Sequence, residues 1–414
     1  MSAIDLEFGT QFADTAVKED IGPRKGFSRV SKFMKSMRQT NIRSWEQREE
    51  LLLAPYAMFA KDSLGRRYVE EAHPYRSPFQ RDRDRILHSA AFRRLSGKMQ
   101  VFTGEMGDYH RTRLTHTHEV ATIARTIGRV LRLNEDLIEA LALLHDIGHP
   151  PYGHSGEDAL SHCLTNHGGF SHNRFALTLA EQLETRFTPY PGLNLTREVL
   201  AGQDFRITHD GQTPLLEVQV VDLADSIAYN AHDVDDALKL GLITLNQLKG
   251  LDLVQRADQC SASQPHSPTD RAARQALVHS LIDVQVADLL EQSIDVLHDI
   301  VQLDSLSVRQ LAIQLEYSPL IAGERIELQQ FLFDNVYRHP QLVAVRNQAA
   351  TRLRVLFEYL LAAPQGLPQR FTDRAQQVGL EIAVGDYLAG MTDRFCDQQY
   401  RQVVELGNSQ AEDW

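Results

Sequence analysis

Residues 141–154 read LALLHDIGHPPYGH, and they constrain the chain more than any other stretch. The apolar run predicts a helix that stops at His145-Asp146, because Gly148, Pro150, Pro151 and Gly153 do not continue it. Stopping a helix takes a cap or a glycine, not two further histidines, His149 and His154. A neutral imidazole beside a carboxylate suits a borderline divalent cation such as Mn, Fe, Co or Zn, and tolerates Mg. An isolated His-Asp pair at a helix end is more often a simple hydrogen-bonded pair, so the reading depends on its company.

That company lies on two other predicted helices. In RTRLTHTHEV (111–120), His116 precedes Val120 by four and Ile123 by seven, which places it on the apolar, inward face. His118 stands roughly 200° further round, too far to share an ion with it. In VDLADSIAYNAHDVDD (221–236), Asp222, Asp225, Tyr229 and Asp233 share one face. Buried carboxylates are costly unless paired or metal-bound, so one of them can close a site begun by His116, His145 and Asp146. The plainer alternative is a solvated acidic face.

Taken in order, the chain reads as all-α. Residues 1–45 are polar with scattered lysine and arginine, an arm that packs on a neighbour or stays mobile. Helical stretches are expected from Trp45 to near Gly65, Asp82–Leu95, Leu114–Leu131, a segment capped by Asn134, then 155–166, 172–187, 196–201 and 215–240. Residues 96–112 form a glycine-bearing loop. The polar stretch 257–270 (ADQCSASQPHSPTD) is the expected linker between a catalytic core, 46–256, and a C-terminal helical region, 271–414, that packs on it.

Composition narrows the setting. Cys163, Cys260 and Cys396 are scattered without a CxxC, and no apolar run approaches a membrane span, so a reducing cytoplasm is expected. A net charge of −12 and 7% aromatics argue against nucleic-acid coating; a single-strand partner is not indicated. Yet Arg76 to Arg113 carries nine Lys/Arg against four acids, a basic island suited to a polyanion unless RDRDR at 81–85 neutralises itself.

With these residues assembled, the chain resembles the HD superfamily of metal-dependent phosphohydrolases. Within it, the chain is similar to the bacterial deoxyguanosinetriphosphate triphosphohydrolase-like proteins. The resemblance rests on YRSPFQRDRDRILHSAAFRRLSGKMQVF, GDYHRTRLTHTHEV, LLHDIGHPPYGHSGEDAL, GGFSHN, GLNLTREVL, VVDLADSIAYNAHDVDDAL and GDYLAGMTDRF, spread from Tyr75 to Phe395. It implies an HD-type helical core and hydrolysis of a deoxynucleoside triphosphate to deoxynucleoside and inorganic triphosphate. It implies a divalent metal (Mg or Mn, or Fe, Co, Zn or Ni) on His116, His145, Asp146 and Asp225, with Asp225 preferred to Asp222 because it stands four before Tyr229. His154, oriented by Glu157, is implied as the proton donor and His149 as a catalytic phosphate contact. Arg113, His172, Lys98 and Gln100 fall at substrate-binding positions, and Tyr229 and Asp233 at the sugar. A ring-like homo-oligomer, often a hexamer, and activation by a dNTP effector belong to the same resemblance. The chain departs from it at His118 and at Arg174-Phe175, where GGFSHNRFAL replaces the commoner GGFEHNAQSL.

Two other readings compete. One is an HD nucleotidase or phosphodiesterase acting on a different nucleotide. The other is a nucleotide sensor or nucleic-acid binder whose metal is structural.

Overall fold

The computed structural model describes residues 43–100, 111–185, 190–208, 211–261 and 270–411, and from Trp45 onward the chain forms one compact unit. The expected arm (1–42 of it), the centre of the 96–112 loop and residues 262–269 lie outside the described residues. Among the described residues there are helices and only two isolated bridges, Arg66–Thr196 and Met99–Thr112, so the fold is all-α.

The first five helices are α1 (Trp45–Leu52), α2 (Pro78–Leu87), α3 (Ala90–Arg94), α4 (Arg113–Val130) and α5 (Glu135–Leu144), of which α4 and α5 carry site residues. α4 starts where the Thr112 hydroxyl accepts the Thr115 N–H. α5 starts at Asn134, whose side chain accepts the Leu137 N–H, with Glu135 and Asp136 complementing the dipole in its first turn. Nearly every side chain of α5 from Leu137 to Leu144 is buried, because α2, α4 and α9 (Leu216–Lys239) surround it. Between α5 and α9 come α6 (Gly153–Cys163), α7 (His172–Thr178) and α8 (Arg197–Thr208).

Three expected helices are shorter or divided. The segment from Trp45 ends at Leu52, since Ala54, Tyr56, Ala57 and Met58 turn into the core and the Tyr56 hydroxyl donates to Leu131 O at 2.9 Å. The Asp82–Leu95 stretch breaks after Leu87, where Ser89 caps α3 by accepting the Phe92 N–H. The 172–187 helix ends as a π turn at Leu179–Leu183.

After α9 come α10 (Leu245–Leu248), α11 (Asp252–Ser261), α12 (Asp270–His298), α13 (Ser305–Gln310) and α14 (Pro319–Leu332), then α15 (Pro340–Ala362), α16 (Gln369–Val378), α17 (Leu380–Ala389) and α18 (Asp393–Ala411). The first residues of the expected 257–270 linker are therefore helical. α11 and α12 bury Leu253, Val254, Leu277 and Leu281 in one cluster with Val234 of α9 and Leu328 of α14. Further on, α15 and α17 lie against α6. No helix among the described residues is long and apolar enough to cross a membrane.

Candidate metal centre and catalytic cluster

The site grows from the ends of α4 and α5 and the middle of α9. His116 sits one turn into α4 and is buried. His145 closes α5, and its Nδ1–H donates to Ala142 O at 2.6 Å, which turns the lone pair of Nε2 inward. Asp225 Oδ1 lies 2.9 Å from His116 Nε2 and 3.6 Å from His145 Nε2. Asp222 instead pairs with Arg206 of α8, so Asp225 is the carboxylate that faces the histidines. His118 points away, edge-on to Phe92 at 5.9 Å.

His116, His145 and Asp225 bring one ligand atom each within 4.8 Å of one another. Asp146 flanks this trio rather than joining it. Its Oδ1 accepts from Arg113 Nη1 at 2.7 Å and lies 3.2 Å from His149 Nε2 and 3.9 Å from His145 Nε2. Burial pushes the Asp146 carboxyl up, but Arg113, His145 and His116 outweigh it and hold the group ionised. Burial likewise opposes ionisation of Asp225 and is outweighed by His145 and His116, leaving its pKa far below the carboxylate range. His145 is pulled down by burial despite these two acids, so it stands neutral and ready to ligate.

Two observations fit a cation to these donors. His145 Nε2 and Asp146 Oδ2 are buried with no hydrogen-bond partner, a costly state for polar atoms. Further, His232 Nδ1 lies 3.2 Å from His116 Nδ1, and His232 Nε2 bonds to Glu119. The row Glu119–His232–His116–Asp225 thus contains three contacts that each need a ring proton, whereas two neutral imidazoles carry two. A cation at the Asp225 end removes the need for the third.

The second cluster joins His149 of the loop after α5 to His154 and Glu157 at the start of α6 and His172 at the start of α7. Gly148 is required there: a Cβ would stand 2.0 Å from His172 O, so only glycine lets the loop touch α7. The His149 and His172 rings stack at 3.8 Å. Burial, reinforced by Arg113 and His172, drives the His149 pKa well below its usual range. Glu157 accepts from His172 Nδ1 at 2.8 Å and from His172 N at 2.9 Å, while His154 Nδ1 lies 3.3 Å away. Glu157 therefore holds two histidines, and the one expected from sequence, His154, is the longer contact. Burial raises the Glu157 carboxyl, but both histidines outweigh it and keep it anionic. The His154 side chain is 59% exposed, open to solvent and to a ligand.

The remaining expected residues divide. Arg113 is buried between Asp146 and Gln100, whose backbone oxygen accepts from Nη2 at 3.3 Å, while Arg111 meets Glu119. Lys98, expected at the triphosphate, is buried, and its Nζ donates to His149 O at 2.5 Å and Ala389 O at 2.9 Å. Burial lowers its pKa to about 7, so the geometry makes it a tether of the His149 loop rather than an exposed anion contact. Tyr229 and Asp233 turn toward Tyr337, which follows α14: its hydroxyl donates to Asp233 Oδ2 and its ring lies 6.4 Å from that of Tyr229. Burial, with Asp236 adding to it, raises the Asp233 carboxyl to about 7. Phe175 is core, packed on Phe170 at 5.6 Å, and Arg174 is exposed, so neither departure enters the clusters. Sequence reasoning missed His232, although it stands seven residues after Asp225 on the same helical face, and it missed Tyr337, which carries no local signal.

Comparison with known proteins gives the family. Residues 113–230 match the HD domain model and residues 315–402 match the phosphohydrolase-associated domain model. A deoxyguanosinetriphosphate triphosphohydrolase-like protein of Nitrosomonas europaea is 41% identical over 370 residues, covering 86% of this chain and 98% of its own. Proteins of the same description from Geobacter metallireducens (41% identity, 85% of this chain, 95% of its own) and Bordetella pertussis (40%, 86% and 97%) align alike. The chain belongs to the deoxyguanosinetriphosphate triphosphohydrolase-like family. As a family member it is a hydrolase of the metal-dependent HD phosphohydrolase class. The His116, His145, Asp146 and Asp225 set falls wholly inside the HD match, while Tyr337 and Ala389 come from the associated domain.

Proposed function

We propose that the chain hydrolyses deoxynucleoside triphosphates at the α-phosphorus, releasing deoxynucleoside and inorganic triphosphate. The observation that carries this reading is the contact of the two clusters through Asp146 and His149, 3.2 Å apart. It sets a metal-ligand group beside a histidine group that ends in a solvent-open imidazole on a carboxylate.

His116, His145, Asp146 and Asp225 would hold the divalent ion, which when bound supplies Lewis-acid polarisation of a phosphate oxygen and acidification of a water. Water adds to the α-phosphorus as the bond to the 5′ oxygen breaks. That alkoxide is a poor leaving group and takes a proton from His154, whose other nitrogen faces Glu157. Arg113, fixed by Asp146, presents a guanidinium to the phosphates, and the stacked His149–His172 pair lines the same region. Tyr229 and Asp233, packed on Tyr337, supply the surface for the sugar. The setting is a cytoplasmic homo-oligomer, a hexamer in this reading, with light scattering as the check; a dNTP effector is tested by assaying nucleotides in mixtures.

Hydrolysis in 18O-water tests the bond that breaks. Label in the triphosphate product supports attack at phosphorus, and label in the deoxynucleoside contradicts it.

A further inference from the structure

A metal-ligating imidazole works only in one tautomer, and what fixes that tautomer is the group on its other nitrogen. For His116 the inward atom is Nε2, 2.9 Å from Asp225 Oδ1, so as a ligand it must carry its proton on Nδ1. The polar neighbour of that nitrogen among the described residues is His232 Nδ1, 3.2 Å away in the buried seam between α4 and α9. The order of the next link is forced. Glu119 is a carboxylate and accepts only, so His232 carries its proton on Nε2 and offers a lone pair at Nδ1. Glu119 is held in turn by Arg111 Nη1 at 2.5 Å, and Arg111 is anchored by Asp235 at 3.1 Å and Asp236 at 3.2 Å on α9.

We propose that His232 is a positioning residue for the metal centre: with Glu119 it forms a one-directional relay that locks His116 in its ligating tautomer and orientation. The inference rests on the reading of His116 as a metal ligand and goes beyond it. Among the described residues, His232 bonds to His116 and Glu119 and to neither Asp225 nor the second cluster. Its effect must therefore run through His116.

Calorimetric titration of the full chain with Mn2+ tests this. His232→Ala leaves the Nδ1–H of His116 without an acceptor and weakens Mn2+ binding by about 10- to 100-fold, the range for such supporting groups. Glu119 is half-exposed, so variants there keep the fold whatever happens at His232. Glu119→Ala weakens binding in the same direction by less, and Glu119→Gln, which still offers an oxygen to His232, restores most of it. At saturating Mn2+ the KM for nucleotide stays at the parental value. Parental Mn2+ affinity in both His232→Ala and Glu119→Ala overturns the relay, and so does equal weakening in Glu119→Gln and Glu119→Ala. A parent chain that takes up no Mn2+ overturns the metal-centre reading itself.

Discussion

Asp393 accepts the backbone N–H of Met99 and that of Tyr152, both at 2.9 Å, one on each carboxylate oxygen. Met99 borders the start of α4, and Tyr152 sits between His149 and His154 with a left-handed φ of +63°. The first turn of α18 thus clamps the two segments that lead into the site, beside the Lys98 link to Ala389. Tyr152 is held again by its hydroxyl, which donates to Asp397 at 2.6 Å.

Replacing Asp393 by Ala orphans two N–H groups, at a cost of about 1–3 kcal/mol each where they are buried. Relaxation of the loop displaces His149 and His154, and a shift on the 1 Å scale lowers kcat by about 100-fold. Mn2+ affinity is unchanged, because α4, α5 and α9 hold the ligand set. Hydrogen exchange at Met99 and Tyr152 alongside steady-state kinetics checks both halves.

Lys98→Met separates the tether from a phosphate contact. With its ammonium on two backbone oxygens, loss of Lys98 lowers kcat and thermal stability but leaves the KM for nucleotide within about threefold, since ground-state binding is not removed. A large rise in KM with kcat intact would return Lys98 to the triphosphate.

Asp233 governs a pH dependence of stability. Its pKa is about 7 folded against 3.8 free, so the folded state holds a proton that the unfolded state has lost between these values. Stability from this group is complete below pH 3.8, falls as pH rises and is lost above about 7. Asp233→Asn keeps the acceptor for Tyr337 and removes the charge. It should stabilise the chain at pH 8 by as much as about 4 kcal/mol, from the 1.36 kcal/mol per pKa unit, with the gain vanishing near pH 4. Denaturant midpoints of both proteins across pH 4–8 measure the difference.

Much of the metal centre was legible in the sequence. Helical spacing turned His116 inward but left Asp222, Asp225, Tyr229 and Asp233 together on one face, and the choice of Asp225 came from the family resemblance. His232 was legible by the same rule and was overlooked. Tyr337 and Asp393 were not legible, since their bonds to Asp233 and Tyr152 span 104 and 241 residues and nothing local marks them. Lys98 was put at a substrate-binding position by the family resemblance, and no local signal showed that the fold closes over it. The helix expected from Trp45 failed for a related reason. Apolar residues that pack through a turn, Ala54 to Met58, share the composition of a helix face.

Divalent metal also stabilises the fold by mass action. At about 100 times its Kd the ion adds about 2.7 kcal/mol and raises Tm, and EDTA reverses this. The shift disappears in Asp225→Ala, as differential scanning calorimetry would record.

The most direct test of the account is product analysis. Purified protein is incubated with each of the four dNTPs, singly and mixed, with Mg or Mn, and triphosphate is resolved from pyrophosphate and phosphate. The account predicts deoxynucleoside and triphosphate in equal amounts, abolished in His145→Ala and in Asp225→Ala. Pyrophosphate or phosphate as the primary product, or triphosphate that persists in both variants, would contradict it.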